Sequence, residues 1–257
     1  MGVKLFTNVN IGDVPSTPAQ PYFNSPSLDT ARQTLLLHAL NLGHPISFAQ
    51  EQSGALIQNI LPVHKTEYEQ ISTSSKVNLA LHTEAAFHPY KPDYVMLLCL
   101  RGDPTAVTTY ANIEDILRLI DKEIIQYLQY PDYITGIDKS FMRPGEKYKE
   151  LFIPILKKIN DDEYNFTYDE DLMKPMNILS SIALEKLAEA VSKCVKEVVL
   201  QTGDLLIIDN NKTIHGRKPF QPRYDGTDRW VQRMLIRKQL PPEEEMNGHV
   251  IITKFEE

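Results

Sequence analysis

Residues 203–238 read GDLLIIDNNKTIHGRKPFQPRYDGTDRWVQRMLIRK, and the two ends of this stretch set the fold class. GDLLIIDN (203–210) is a short apolar run bounded by Gly and Asn, and RWVQRMLIRK (229–238) alternates apolar with polar side chains. Both patterns belong to β-strands closed by turns. YVMLLCLRG (94–102) is a third such run. The spacing between them is irregular and leaves room for helices, so a mainly β core with flanking helices is expected.

Working outward, SPSLDTARQTLLLHALNLGHP (25–45) carries helix punctuation. Leu28, Ala31, Leu35 and Ala39 share one face, and Gly43 and Pro45 supply the stop. A second helix is expected over 112–128, capped by Asn112, with Ile113, Ile116, Leu117, Ile120 and Ile124 on one face and Pro131 beyond its end. A third is expected over 180–199, presenting Ile182, Leu187, Val191 and Val195. Residues 1–25 are rich in Pro, Asn, Ser and Thr without periodicity and read as a loop or arm. The segment 132–176 mixes charges and aromatics and reads as an insert, with a lid as its functional reading. No repeat or linker composition divides the chain, so a single domain over 1–257 is expected.

The bulk numbers narrow the function. A net charge of −7 argues against a nucleic-acid binder, which needs a basic face to displace phosphate counterions. No run reaches the roughly 18 apolar residues of a membrane span, and MGVKLFTNVN has no apolar signal core. The two cysteines, Cys99 and Cys194, make no disulfide framework and read as small apolar side chains in a reducing, cytoplasmic setting.

The chemistry concentrates in LALHTEAAFHPY (79–90). On a strand, His82 and Glu84 point to the same face, which makes them half of a facial metal site. His215, in DNNKTIHGRKPF, is the best third ligand, with His88 as a competitor. Two imidazoles and a carboxylate leave open positions on an octahedral ion, as in non-haem iron(II) oxygenases. A solvated His–Glu pair is the bland alternative, and a zinc hydrolase would use similar ligands. Arg229 and Arg233 favour the oxygenase: their even separation puts both on one strand face, and a guanidinium fork matches a carboxylate.

Taken together, HTEAAFHPYKPDYVMLLCLRGDP (82–104) and the 203–238 stretch resemble the clavaminate synthase-like oxygenases of the iron(II)/2-oxoglutarate superfamily, over about residues 44–240. These include asparagine, arginine and lysine hydroxylases. The resemblance implies a double-stranded β-helix (jelly roll) and makes His82, Glu84 and His215 the iron ligands. It puts Arg229, assisted by Thr109, on the distal carboxylate of 2-oxoglutarate, and Arg233 on the substrate carboxylate. Asp169 and Asp171 in FTYDEDLM would face the substrate side chain, and Glu51 or Gln52 its amino group. The implied reaction consumes 2-oxoglutarate and O2 and hydroxylates C3 or C4 of a free, basic L-amino acid. Carrier-tethered or β-lactam-type substrates, desaturation, and a jelly-roll binding protein lacking iron are the alternatives. Glu84 argues against halogenation, because halogenating relatives carry a small residue there. Familiar members carry many more residues ahead of HTE, which makes homo-oligomer formation an expectation for closing the pocket.

Overall fold

The computed structural model describes residues 2–142, 150–161 and 163–253. Part of the expected insert, 143–149, lies outside the described residues. Two sheets carry the architecture. The larger runs in the order Val3–Phe6, Leu205–Asp209, Tyr94–Arg101, Trp230–Arg237, His44–Phe48, Val250–Ile251 and Met246–Asn247, and Gln58–Ile60 also pairs with Trp230–Arg237. The smaller runs Lys196–Val198, Thr108–Asn112, Thr213–Arg217 and Leu79–His82. Neighbours are antiparallel except Val250–Ile251, which lies parallel to His44–Phe48. The three strands expected from sequence lie side by side in the larger sheet.

Their near-continuous apolar character follows from burial on both faces. Met96, Leu98 and Leu100 join Leu205, Ile207, Met234 and Ile236 beneath the helix Asp29–Leu40. Val95, Leu97 and Cys99 join Leu206, Ile208, Val231 and Leu235 on the opposite face. The first helix and the turn that leads into it bury the four residues that the periodicity picks out, Leu28 in the turn and Ala31, Leu35 and Ala39 in the helix. Pro45 does not end that helix; it lies within the strand His44–Phe48.

Three expectations are corrected. The proposed arm contains a strand, Val3–Phe6, paired with Leu205–Asp209 at the sheet edge. The proposed helix over 112–128 is two, Ile113–Leu117 and Lys122–Tyr127, because Asp121 is extended (φ −65, ψ 148). Both short helices pack on the third helix. That helix spans Ile178–Cys194, starting from a capping box between Asn177 and Ser180. It buries Ala183, Leu187, Ala190 and Val191 and leaves Ile182 exposed, and residues 196–198 continue as a strand on Thr108–Asn112. Among the described residues no helix is long and apolar enough to cross a membrane.

The insert supplies a small sheet, Met173–Pro175, Tyr133–Thr135 and Leu151–Ile153, and a hairpin, Leu156–Asn160 with Glu163–Phe166. It closes onto the smaller sheet. Thr83 N–H donates to Tyr168 O (2.8 Å), Glu170 N–H to Leu81 O (3.0 Å), and His82 and Asp169 form an isolated antiparallel bridge.

Candidate metal centre and anion pocket

Between the sheets lies a cavity of about 460 Å³. His215 sits mid-strand in Thr213–Arg217, directly paired with His82 at the end of Leu79–His82, and the two rings are 4.7 Å apart. This close approach depends on Gly216, where a Cβ would collide with the carbonyl oxygen of Leu79. The strand ends at His82, so Glu84 is not carried by a rigid strand as the two-residue spacing suggests. It occupies the following turn, whose next residue, Ala85, has φ +50.

The ligand atoms of His82, Glu84 and His215 nevertheless lie within 4.8 Å of one another, and Nε2 of His215 is 3.6 Å from a Glu84 oxygen. His82 Nδ1 is 2.8 Å from the Ala80 carbonyl, which leaves Nε2 facing the cavity side. Burial pushes the His215 pKa down and so favours the neutral imidazole that a metal requires. Burial opposes charge on Glu84, but the Arg233 guanidinium and the contact with His215 outweigh it and hold the carboxyl well below its usual range. Two imidazoles and a carboxylate converge, with Glu84 and His215 buried and His82 half-buried, and this set fits a divalent iron. His88 lies elsewhere, packed among Phe48, Phe87 and Phe141, with Nδ1 accepting from Tyr90 N–H.

The two arginines share the cavity but differ in their surroundings. Arg233 donates to Glu84 (2.6 Å), to both oxygens of Glu51 (2.8 and 2.9 Å) and to Gln58 (2.8 Å from Nε). Arg229 is 6% exposed and makes no hydrogen bond or ion pair among the described residues. A buried guanidinium that bonds no carboxylate is costly unless a ligand supplies one.

A second cation stands beside it. Arg217 donates to Ser72 O (3.3 Å) and Ser74 Oγ (3.0 Å), while its Nε has no partner. Burial and the neighbouring Arg229 push its pKa down to about 9. Arg217 follows His215 by two on the same strand, so the parity that picks out Arg229 and Arg233 would also have picked it out.

Thr109 does not line the cavity; Thr108 does, and its buried hydroxyl has no partner. Adjacent residues on a strand face opposite sides, and Thr109 packs towards Gly216 instead. Of the two candidates near the amino group, Glu51 lines the cavity. Gln52 is used up on the backbone of Asn59, donating to its O (3.0 Å) and accepting from its N–H (3.2 Å).

Asp169 and Asp171 both reach the cavity. Asp169 is buried and accepts from the N–H groups of Asp171 (2.9 Å) and Leu172 (2.8 Å), whereas Asp171 is exposed. A third acid, Asp138, was missed. Desolvation pushes its carboxyl up to about 7, with Asp169, Glu84 and Glu51 adding and His82 opposing. Nothing in the local sequence GIDKS marks it, because its neighbours are brought there by tertiary structure.

Residues 24–235 match the family described as taurine catabolism dioxygenase TauD, TfdA family. The chain belongs to this family. Within it, the chain is 35% identical over 204 residues to L-lysine 3-hydroxylase of Catenulispora acidiphila, covering 76% of this chain and 55% of that protein. It is 37% identical to L-asparagine oxygenase of Streptomyces coelicolor, covering 79% and 60%. The chain thus spans little more than half the length of these TauD/TfdA relatives. The fold is also that of the non-heme iron oxygenase OrfP, solved in complex with Fe, succinate and (3S)-hydroxy-L-Arg. Here the TM-score is 0.88 and the identity 28%, covering 98% of this chain and 82% of that one. The jelly-roll expectation therefore holds.

Proposed function

We propose that this chain is an iron(II)- and 2-oxoglutarate-dependent hydroxylase of a free L-amino acid with a cationic side chain. One observation carries the reading: the His82–Glu84–His215 cluster opens on the same cavity as Arg229, a buried cation that makes no ion pair among the described residues. His82, Glu84 and His215 would hold the iron, which when bound supplies the oxidising chemistry together with 2-oxoglutarate and O2.

The chain's own residues do the rest. Arg229 accepts the distal carboxylate of 2-oxoglutarate as a fork, Thr108 adds a hydroxyl donor, and Arg217 adds positive potential. With Glu84 engaged in metal binding, one arm of Arg233 becomes available for the substrate carboxylate, while the buried Glu51 carboxyl offers oxygens to the amino group. Ile60, Leu97 and Val231 give the cavity its apolar wall and keep water from the reacting carbon. Asp138, Asp169 and Asp171 gather at the insert side, which favours a cationic side chain there. The lysine hydroxylase among the relatives supports that reading.

A second reading has its own support. An Asp138 that is half protonated near neutral pH can donate to an amide, as suits a relative named for asparagine. Both readings are tested by reconstituting the protein anaerobically with iron(II), then adding 2-oxoglutarate, air and the proteinogenic amino acids with ornithine and citrulline. Succinate coupled to a singly oxygenated lysine, arginine or ornithine is the expected result. Turnover of neutral amino acids alone would overturn the cationic-substrate reading. The absence of both succinate and iron retention would overturn the oxygenase reading.

A further inference from the structure

Glu84 sits beyond the end of its strand, in a turn followed by a left-handed alanine, yet it belongs to the metal cluster. Ala85 at φ +50 is in a conformation that strains an L-residue and persists only where its surroundings over-determine it. What fixes this turn is one side chain from the turn between Leu205–Asp209 and Thr213–Arg217. The amide of Asn210 accepts from Glu84 N–H through Oδ1 (2.7 Å) and donates to Glu84 O through Nδ2 (3.1 Å), gripping both backbone polar groups of the residue. Its second N–H goes to Pro92 O (2.8 Å), at the far end of the same loop.

Asn210 is itself immobilised. It is fully buried, its N–H donates to Asp93 O (2.9 Å), and its carbonyl accepts from Lys91 Nζ (3.2 Å). The Lys91 ammonium also reaches Phe166 O (3.1 Å), which ties the insert into the same clamp.

We propose that Asn210 is the positioning residue for the carboxylate ligand: it sets where Glu84 enters the metal centre without touching the metal. This rests on the metal-centre reading above. Only a primary amide of this length supplies one acceptor and two donors in this arrangement. Aspartate would keep the size and lose both donors to Glu84 O and Pro92 O, and alanine would leave three backbone groups buried and unpaired.

The test is Co(II) affinity, followed by the visible d–d absorption of the bound ion and by calorimetry, on wild type, Asn210→Asp, Asn210→Ala, Glu84→Ala and the double variant Glu84→Ala/Asn210→Ala. The expected result is a loss of about 10–100-fold for each Asn210 variant with a changed d–d spectrum, the scale typical of groups that orient metal ligands. In the Glu84→Ala background the Asn210 change should add nothing. Wild-type affinity and spectrum in Asn210→Asp, or a loss that adds fully to that of Glu84→Ala, would overturn the proposal. Should the variants fail to fold, the wild type decides: the Asn210 side-chain amide resonances should be protected from exchange and should shift on Zn(II) addition, and their failure to shift would overturn it. If the wild type binds no Co(II), or Glu84→Ala binds as tightly as wild type, it is the metal-centre reading that fails.

Discussion

The guanidinium of Arg233 lies 2.6 Å from the carboxylate of Glu84 and also bonds both oxygens of Glu51, so two buried acids share one cation at the centre of the barrel. Burial alone would raise both acids, and Arg233 is the group that opposes it in each. Arg233→Leu should therefore destabilise the metal-free protein by roughly 3–5 kcal/mol, the usual result of orphaning a buried charge. Iron(II) or Co(II) should restore more stability to the variant than to wild type, because it supplies Glu84 with a new counter-charge. Chemical denaturation with and without metal measures both.

Arg229 should behave in the opposite way. It makes no ion pair among the described residues, so Arg229→Met should unfold no earlier than wild type in the absence of cosubstrate. Its 2-oxoglutarate affinity should fall about 100-fold or more, on the scale of removing one partner of a buried charge pair. Thermal shift with and without 2-oxoglutarate separates the two effects: wild type should be stabilised by the ligand and the variant should not.

Thr108 and Thr109 allow a sharper comparison. Thr108→Val leaves the size unchanged and removes the hydroxyl that faces the cavity, so the KM for 2-oxoglutarate should rise by about fivefold to tenfold, the worth of one hydrogen bond. Thr109→Val should leave that KM within about twofold of wild type. Equal effects would mean that the strand faces are reversed.

Asp138 sets a pH dependence. Its carboxyl titrates near 7 in the fold against 3.8 ordinarily, so above about pH 7 it is an anion and below it is neutral. The KM for a cationic amino acid should fall as pH rises through 7, by about tenfold, and Asp138→Asn should flatten the profile. The free protein should show the reverse trend. A carboxyl raised in the native state contributes stability that is full below pH 3.8 and lost as pH rises to about 7, and the asparagine variant should lack that component. KM profiles and denaturation midpoints across this range test the two signs together.

Much of this molecule is legible in its sequence because strand parity and helix periodicity are local. Leu28, Ala31, Leu35 and Ala39 appear as a buried face because 3.6-residue spacing needs no partner to be read. Arg229 and Arg233 reach one cavity because alternation holds between them. The failures have the opposite character. Val3–Phe6 pairs with residues some two hundred positions away, in a stretch whose composition resembles a loop. The break at Asp121 lets two short helices pack on one long one, and the apolar spacing alone does not show it. Choosing Thr108 over Thr109 requires the register between strands, and Asp138 is placed entirely by the insert's tertiary path.

The bridge between His82 and Asp169 divides the insert into two kinds of material. Residues 168–170 are sewn to the strand that carries His82, a ligand of the proposed metal centre, through Tyr168 to Thr83 and Glu170 to Leu81. On that proposal, a change there would disturb the metal centre as well as substrate choice. Ile137, Asp138, Lys139, Ser140 and Met142 line the same cavity without such stitching to that strand among the described residues, so they form the exchangeable wall of the pocket. Retargeting this scaffold to a new side chain should begin at Ile137, Asp138 and Met142 and leave 168–170 intact, because variation is tolerated where selectivity and chemistry do not share a backbone.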